Sequence, residues 1–122
     1  MIVMQVLRIV TNLGSAKLAG AEKFYGEVLG MKRVMDHGWI KTYASPAEST
    51  VQISVATEGG SGTAVPDVSI EVDDVDEAHA RMVGAGFVIE YGPVDEPWGV
   101  RRFYVRDPFN KLINILSHRT TK

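Results

Sequence analysis

Residues 93–116, PVDEPWGVRRFYVRDPFNKLINIL, decide how the chain folds. Residues 98–105 alternate as a half-buried strand does. Trp98, Val100, Arg102 and Tyr104 fall on one face, and Gly99, Arg101, Phe103 and Val105 on the other. Asp-Pro-Phe-Asn at 107–110 reads as a turn, because proline presets φ while Asp and Asn tolerate turn geometry. Residues 112–116 then read as a second strand. Leu112, Asn114, Leu116 and, just beyond, His118 point one way; Ile113 and Ile115 point the other. The result is a hairpin with one polar face. An Asn between two leucines in a strand centre is either a satisfied core amide or a pocket residue.

Outward from the hairpin, the same alphabet of elements occurs twice. Residues 88–91 and 68–72 read as strands. Between them Val75, Ala78, Met82 and Ala85 recur at helical spacing, Asp74 and Glu77 form a capping-box-like start, and Gly86 ends the helix. Upstream, residues 3–13 read as a strand bounded by Gly14-Ser15. Ser15 is placed as the N-cap of a helix carrying Leu18, Ala21, Tyr25 and Val28 in register, Phe24 beside them, and Gly30 at its C-terminal end. Strands at 32–36, 39–44 and 50–56 follow, the first two joined by a His37-Gly38 turn. The segment 57–66, TEGGSGTAVP, with three glycines, is expected to be a flexible linker. The order is strand, helix, three strands, then the same again, in modules of about 1–58 and 66–122. A half of about 55 residues can hardly bury both faces of its sheet alone. Two such halves can close a curved sheet around a cleft; an ordinary α+β sheet without symmetry is the alternative.

Composition narrows the function. The chain has 122 residues, 45% hydrophobic and 23% charged, which are values for one globular domain with a true core. A formal net charge of -2 gives no basic footprint, so nucleic acid is not an expected partner. The absence of cysteine excludes disulfides, thiolate metal sites and a Cys nucleophile. No apolar run approaches the roughly 20 residues of a membrane span. The apolar start MIVMQVLRIV lacks a basic n-region and a cleavage site, so it is read as a strand and the protein as cytoplasmic.

Three motifs resemble the vicinal oxygen chelate superfamily of glyoxalases, bleomycin-resistance proteins and extradiol dioxygenases. They are Phe24-Tyr25-x-x-Val28-Leu29-Gly30, Val72-Asp73-Asp74-Val75-Asp76 with Gly84-x-Gly86, and Arg106-Asp107-Pro108-x-x-Lys111 ahead of the last strand. The resemblance spans nearly the whole chain. It implies an α+β fold of paired βαβββ modules forming a curved, cup-shaped mixed sheet, commonly as a homodimer. It also implies that metal-using members draw His and Glu ligands from the first and last strands of each half. Carried across residue by residue, those positions fall on Asp67, Asn114 and Gln52, with the first strand's position open between Arg8 and Asn12. None is His. One carboxylate and two neutral amides make a poor transition-metal site, so no cofactor is expected.

Without metal, the cup would offer a polar floor and an aromatic lining from Trp39, Tyr43, Trp98, Phe103 and Tyr104, each of which could equally be plain core. Paired arginines on alternate strand faces put one of Arg101 and Arg102 inward, either toward an anionic group or against Glu96 or Asp107. The expected ligand-binding set is Gln52, Asp67, Trp98, Arg101, Arg102, Tyr104 and Asn114. Two function classes stay open. One is a metal-free binding protein of the resistance or sequestration type for a small, partly aromatic molecule. The other is a lyase, isomerase or ring-cleaving dioxygenase of the same superfamily, with Asp67 or Glu96 as the base.

Overall fold

The structure is a computed structural model describing residues 4–119; the first three residues of the apolar start lie outside the described residues. Eight strands and two helices follow in the order β1 (Val6–Gly14), a π-wound helix (Glu22–Val28), β2 (Lys32–Asp36), β3 (Ile40–Ala44), β4 (Gln52–Ala56), β5 (Val68–Val72), helix α1 (Val75–Gly84), β6 (Ile89–Asp95), β7 (Val100–Arg106) and β8 (Leu112–His118). The fold is α+β, and the βαβββ order occurs twice. Within the first run the hydrogen-bonded strand order is β2-β3-β4-β1, and within the second it is β6-β7-β8-β5. In both, the first and last strands pair in parallel and the rest pair antiparallel.

By contacts the chain forms two compact units. One is Val10–Val65; the other joins the chain up to Ile9 with Pro66 onward. In the latter, α1 packs on one face of its strands. Val72, Val75, Ala78, Phe103, Val105 and Ile115 are buried together there, with Met4, Ile70, Met82, Ile89 and Ile113 packed around them. These are the alternate apolar positions of β5, β7 and β8, so the period-two pattern points at the helix. Asp74 caps α1 as its spacing suggests, its carboxylate accepting from the Glu77 amide at 3.0 Å. The Asp107 carboxylate accepts from the amides of Phe109 and Lys111, and Asn110 takes φ +64, so the β7–β8 turn is held by its own acid.

Three expectations are corrected. The first helix does not start at Ser15: the Ser15 hydroxyl bonds locally with Lys17, Gly20 takes φ +98, and the winding begins only at Glu22. The segment 57–66 is internally bonded rather than a flexible linker. Glu58 accepts from the Gly62 amide, Gly59 and Thr63 bond across the turn, and Gly59 and Gly60 are buried. Trp98 lies in a turn ahead of β7 rather than in the strand, because Gly99 at φ +92 breaks the extended run.

Candidate functional site

The face of β5, β8, β7 and β6 opposite α1 is polar. Cross-strand register lines up Ser69, Asn114, Tyr104 and Tyr91 as one row, and Glu71, Leu116, Arg102 and Val94 as the next. Five polar or charged side chains are buried among the described residues, and three of them, Glu96, Arg102 and Asn114, belong to this part of the molecule.

Arg102 is the centre. It is 2% exposed, and its Nε donates to Glu96 Oε2 at 2.7 Å, with Glu96 itself 3% exposed. Tyr91 donates its hydroxyl to the same oxygen at 2.8 Å, and Arg102 Nη1 donates to the Tyr104 hydroxyl at 3.0 Å. The guanidinium carbon lies 5.4, 5.0 and 4.9 Å from the ring centres of Tyr91, Trp98 and Tyr104. A planar cation stacked among rings and paired with a carboxylate is a closed arrangement. Beside it the β6 and β7 backbones approach closely at Gly92, whose φ is +76 and where a Cβ would stand 2.5 Å from the Arg102 carbonyl oxygen.

Asn114 stands opposite Tyr104 on one side and Ser69 on the other. Its Nδ2 donates to Ser69 Oγ at 3.0 Å. Its Oδ1 is buried and has no hydrogen-bond partner among the described residues. In a layer otherwise so well connected, this carbonyl is the unmet acceptor.

The other expected residues are placed as follows. Asp67 is exposed just ahead of β5, and its carboxylate accepts from the Leu112 amide at 2.9 Å, so Ser69 rather than Asp67 stands beside Asn114. Arg101 turns to the helix side and pairs with Asp76 and Asp95 at 3.1 and 3.2 Å. Gln52 opens β4 and donates to the Ser49 carbonyl at 2.9 Å. Two residues on, Ser54 occupies the position in its hairpin that Asn114 has in the other. It stands opposite Thr42 and Asn12, and its hydroxyl is 2.7 Å from that of Thr42. Tyr43 and Phe103 are fully buried, Phe103 among the core side chains on α1, with half-buried His79 edge-on to its ring at 5.2 Å. Sequence reasoning missed Tyr91, Ser69 and Glu71. The alternation Val68-Ser69-Ile70-Glu71-Val72 is the signal that could have found the last two.

A family model of the glyoxalase/bleomycin resistance protein/dioxygenase superfamily matches residues 9–115. The chain belongs to that superfamily. Solved structures agree on its fold. A chain described as NAD-dependent benzaldehyde dehydrogenase from Legionella pneumophila is similar at 16% identity and a TM-score of 0.73, over 91% of this chain and 99% of that one. Methylmalonyl-CoA epimerase from Mycobacterium tuberculosis is similar at 16% identity and a TM-score of 0.65, over 94% and 88%. The Mn(II)-bound glyoxalase from Novosphingobium aromaticivorans is similar at 16% identity and a TM-score of 0.60, over 96% of this chain and 41% of that one. No curated protein matches the sequence. Among the described residues no helix is long and apolar enough to cross a membrane.

A divalent metal, as in that Mn(II)-bound relative, finds a poor donor set on this superfamily member's polar face. Ser69 and Asn114 offer neutral oxygens, and Tyr104 beside them receives a hydrogen bond from a buried guanidinium that repels a cation. Among the described residues no three His, Cys, Asp or Glu side chains stand together as a metal-holding group. Ser69, Asn114 and Tyr104 by themselves therefore do not fit the metal.

Proposed function

We propose that this chain binds a small, partly aromatic molecule without metal, on the polar face of its second half, and retains it in the manner of a resistance or sequestration protein. The observation that carries this reading is Asn114 Oδ1, buried without a donor. A buried acceptor left unmet costs about 1–3 kcal/mol, which a ligand N–H or O–H group recovers. Half-buried Tyr91, in the same cross-strand row beyond Tyr104, and half-buried Trp98 supply flat surface around Arg102. Arg102 orders those rings; its carboxylate partner is internal, so the reading favours a hydrogen-bond donor on the ligand over an anion clamped by this arginine.

The test is a melting-temperature screen of substituted phenols and benzoates. Asn114→Leu should keep or raise the stability of the unliganded protein and remove the ligand-induced rise, and Trp98→Ala should weaken binding by about 1–3 kcal/mol. Unfolding of Asn114→Leu, together with undiminished binding by Trp98→Ala, sinks the reading. So does about one equivalent of Zn, Mn, Fe or Ni retained per chain through dialysis. The same reading includes a homodimer. It is supported by exposed Phe24, Val28 and Leu29 on the first helix and its end, and is checked by sedimentation at micromolar concentration.

A further inference from the structure

Beyond the Arg102 cage, the same polar face carries three ionisable side chains in a row. Arg8 Nε donates to Glu71 Oε1 at 2.9 Å, and His118 Nδ1 lies 2.7 Å from Glu71 Oε2. Both carboxylate oxygens are engaged, and the Glu71 side chain is only 17% exposed. Burial pushes the Glu71 carboxyl up, but the His118 hydrogen bond, the His118 charge when the imidazole is protonated, and then Arg8 outweigh it and hold it below the usual carboxylate range. An ionised carboxylate can only accept, so a neutral His118 keeps its proton on Nδ1 and presents a lone pair at Nε2. The imidazole is 57% exposed, and the next residue, Arg119, is turned away to Asp95 at 3.8 Å.

Placement relates this pair to Asn114. On β8, Asn114, Leu116 and His118 share one face, with Ser69 opposite Asn114 and Glu71 opposite Leu116. At roughly 3.3 Å per residue, His118 lies about 13 Å along the strand from Asn114, and Glu71 about 7 Å from Ser69. A one-ring molecule with a polar group at each end bridges that interval once a hydrogen bond at each end is counted.

We propose that Glu71 and His118 form a proton-accepting dyad for an acidic hydroxyl, a phenol or enol, on the molecule bound at this face. This deepens the binding reading above and rests on it. The ligand O–H bond breaks, its electron pair stays on oxygen, and the proton forms the Nε2–H bond of His118. The imidazolium keeps its Nδ1–H on Glu71, and the ligand oxyanion faces the imidazolium. Arg8 keeps Glu71 ionised throughout, so Arg8 and His118 as cations stand against Glu71 and the ligand as anions. Glu71 is a positioning residue, and His118 is the group that touches the ligand.

The probe is 4-nitrophenol, which turns yellow when it ionises. Below the probe's own midpoint, wild-type protein should bind it in the yellow form, and His118→Phe and Glu71→Leu should each lower the bound yellow fraction by about tenfold or more. A colourless bound probe in wild type, or an unchanged yellow band in His118→Phe, overturns the proposal. Absence of 4-nitrophenol binding at millimolar concentration overturns the acidic-hydroxyl ligand, and the Asn114→Leu melting test then tells whether the binding reading falls with it. Nitrogen NMR of the unliganded protein is an independent arm. Neutral His118 should carry its proton on Nδ1, and should return to the Nε2–H form in Glu71→Leu. An Nε2–H form in wild type overturns the dyad whatever phenols do.

Discussion

The two βαβββ runs have one strand order but different interiors. In the second, α1 buries Val75 and Ala78 against β5, β7 and β8, while the face opposite holds an ion pair ringed by aromatics. In the first, the π-wound helix buries no residue, and Val28 is 70% exposed. The matching polar row there is Asn12, Ser54 and Thr42, with the two hydroxyls bonded to each other. A repeated topology therefore fixes where polar side chains line up, and the residues placed there decide whether the row is charged and aromatic or small and self-satisfied. On the reading proposed above, the second run is the one that recognises a ligand.

The largest test of that contrast is the ion pair. Glu96→Leu strands Arg102 as a buried, unpaired cation and should cost about 3–5 kcal/mol in urea unfolding. Adding Arg102→Met should recover most of it while still disturbing Trp98. A loss below about 1 kcal/mol for the single change would mean that the pair is solvated and the two runs are less different than described.

Gly92→Ala should follow, at about 1–3 kcal/mol, since it combines a left-handed φ with a Cβ driven onto the Arg102 carbonyl. Its effect should include altered Tyr91 packing, readable by near-ultraviolet circular dichroism; a silent spectrum would separate the β6–β7 irregularity from the cage.

The smallest effect belongs to the first run. Ser54→Ala leaves the Thr42 hydroxyl without its partner and should cost about 1 kcal/mol, and Thr42→Val in the same chain should restore most of that. A cost for Ser54→Ala as large as that for Glu96→Leu would erase the proposed division of labour.

What could be read from the sequence was local. The alternation in residues 98–105 and 112–116, the Asp74–Glu77 cap, the Asp107–Asn110 turn and the twofold order of elements each depend on neighbours within a few positions, and they carry the α+β fold and the family. Gly20 displaced the start of the first helix because its left-handed φ breaks the winding ahead of Glu22. Gln52 and Ser54 traded places through hairpin length. Residues 45–51 separate the closing pair Ala44 and Gln52, and only 107–111 separate Arg106 and Leu112, so a count from the turn lands two residues short.

The sequence by itself determined that residue 114 is an amide on a polar strand face and that arginines alternate beside it. Only the tertiary structure decided that Arg102 is caged by Glu96 and three rings, that Arg101 serves the helix, and that Glu71 joins Arg8 to His118 across 63 and 47 residues of chain. Periodicity along a strand fixes which face a side chain takes. Which partner it meets there is set by register between strands, and register depends on loop lengths and backbone irregularities that no local pattern contains.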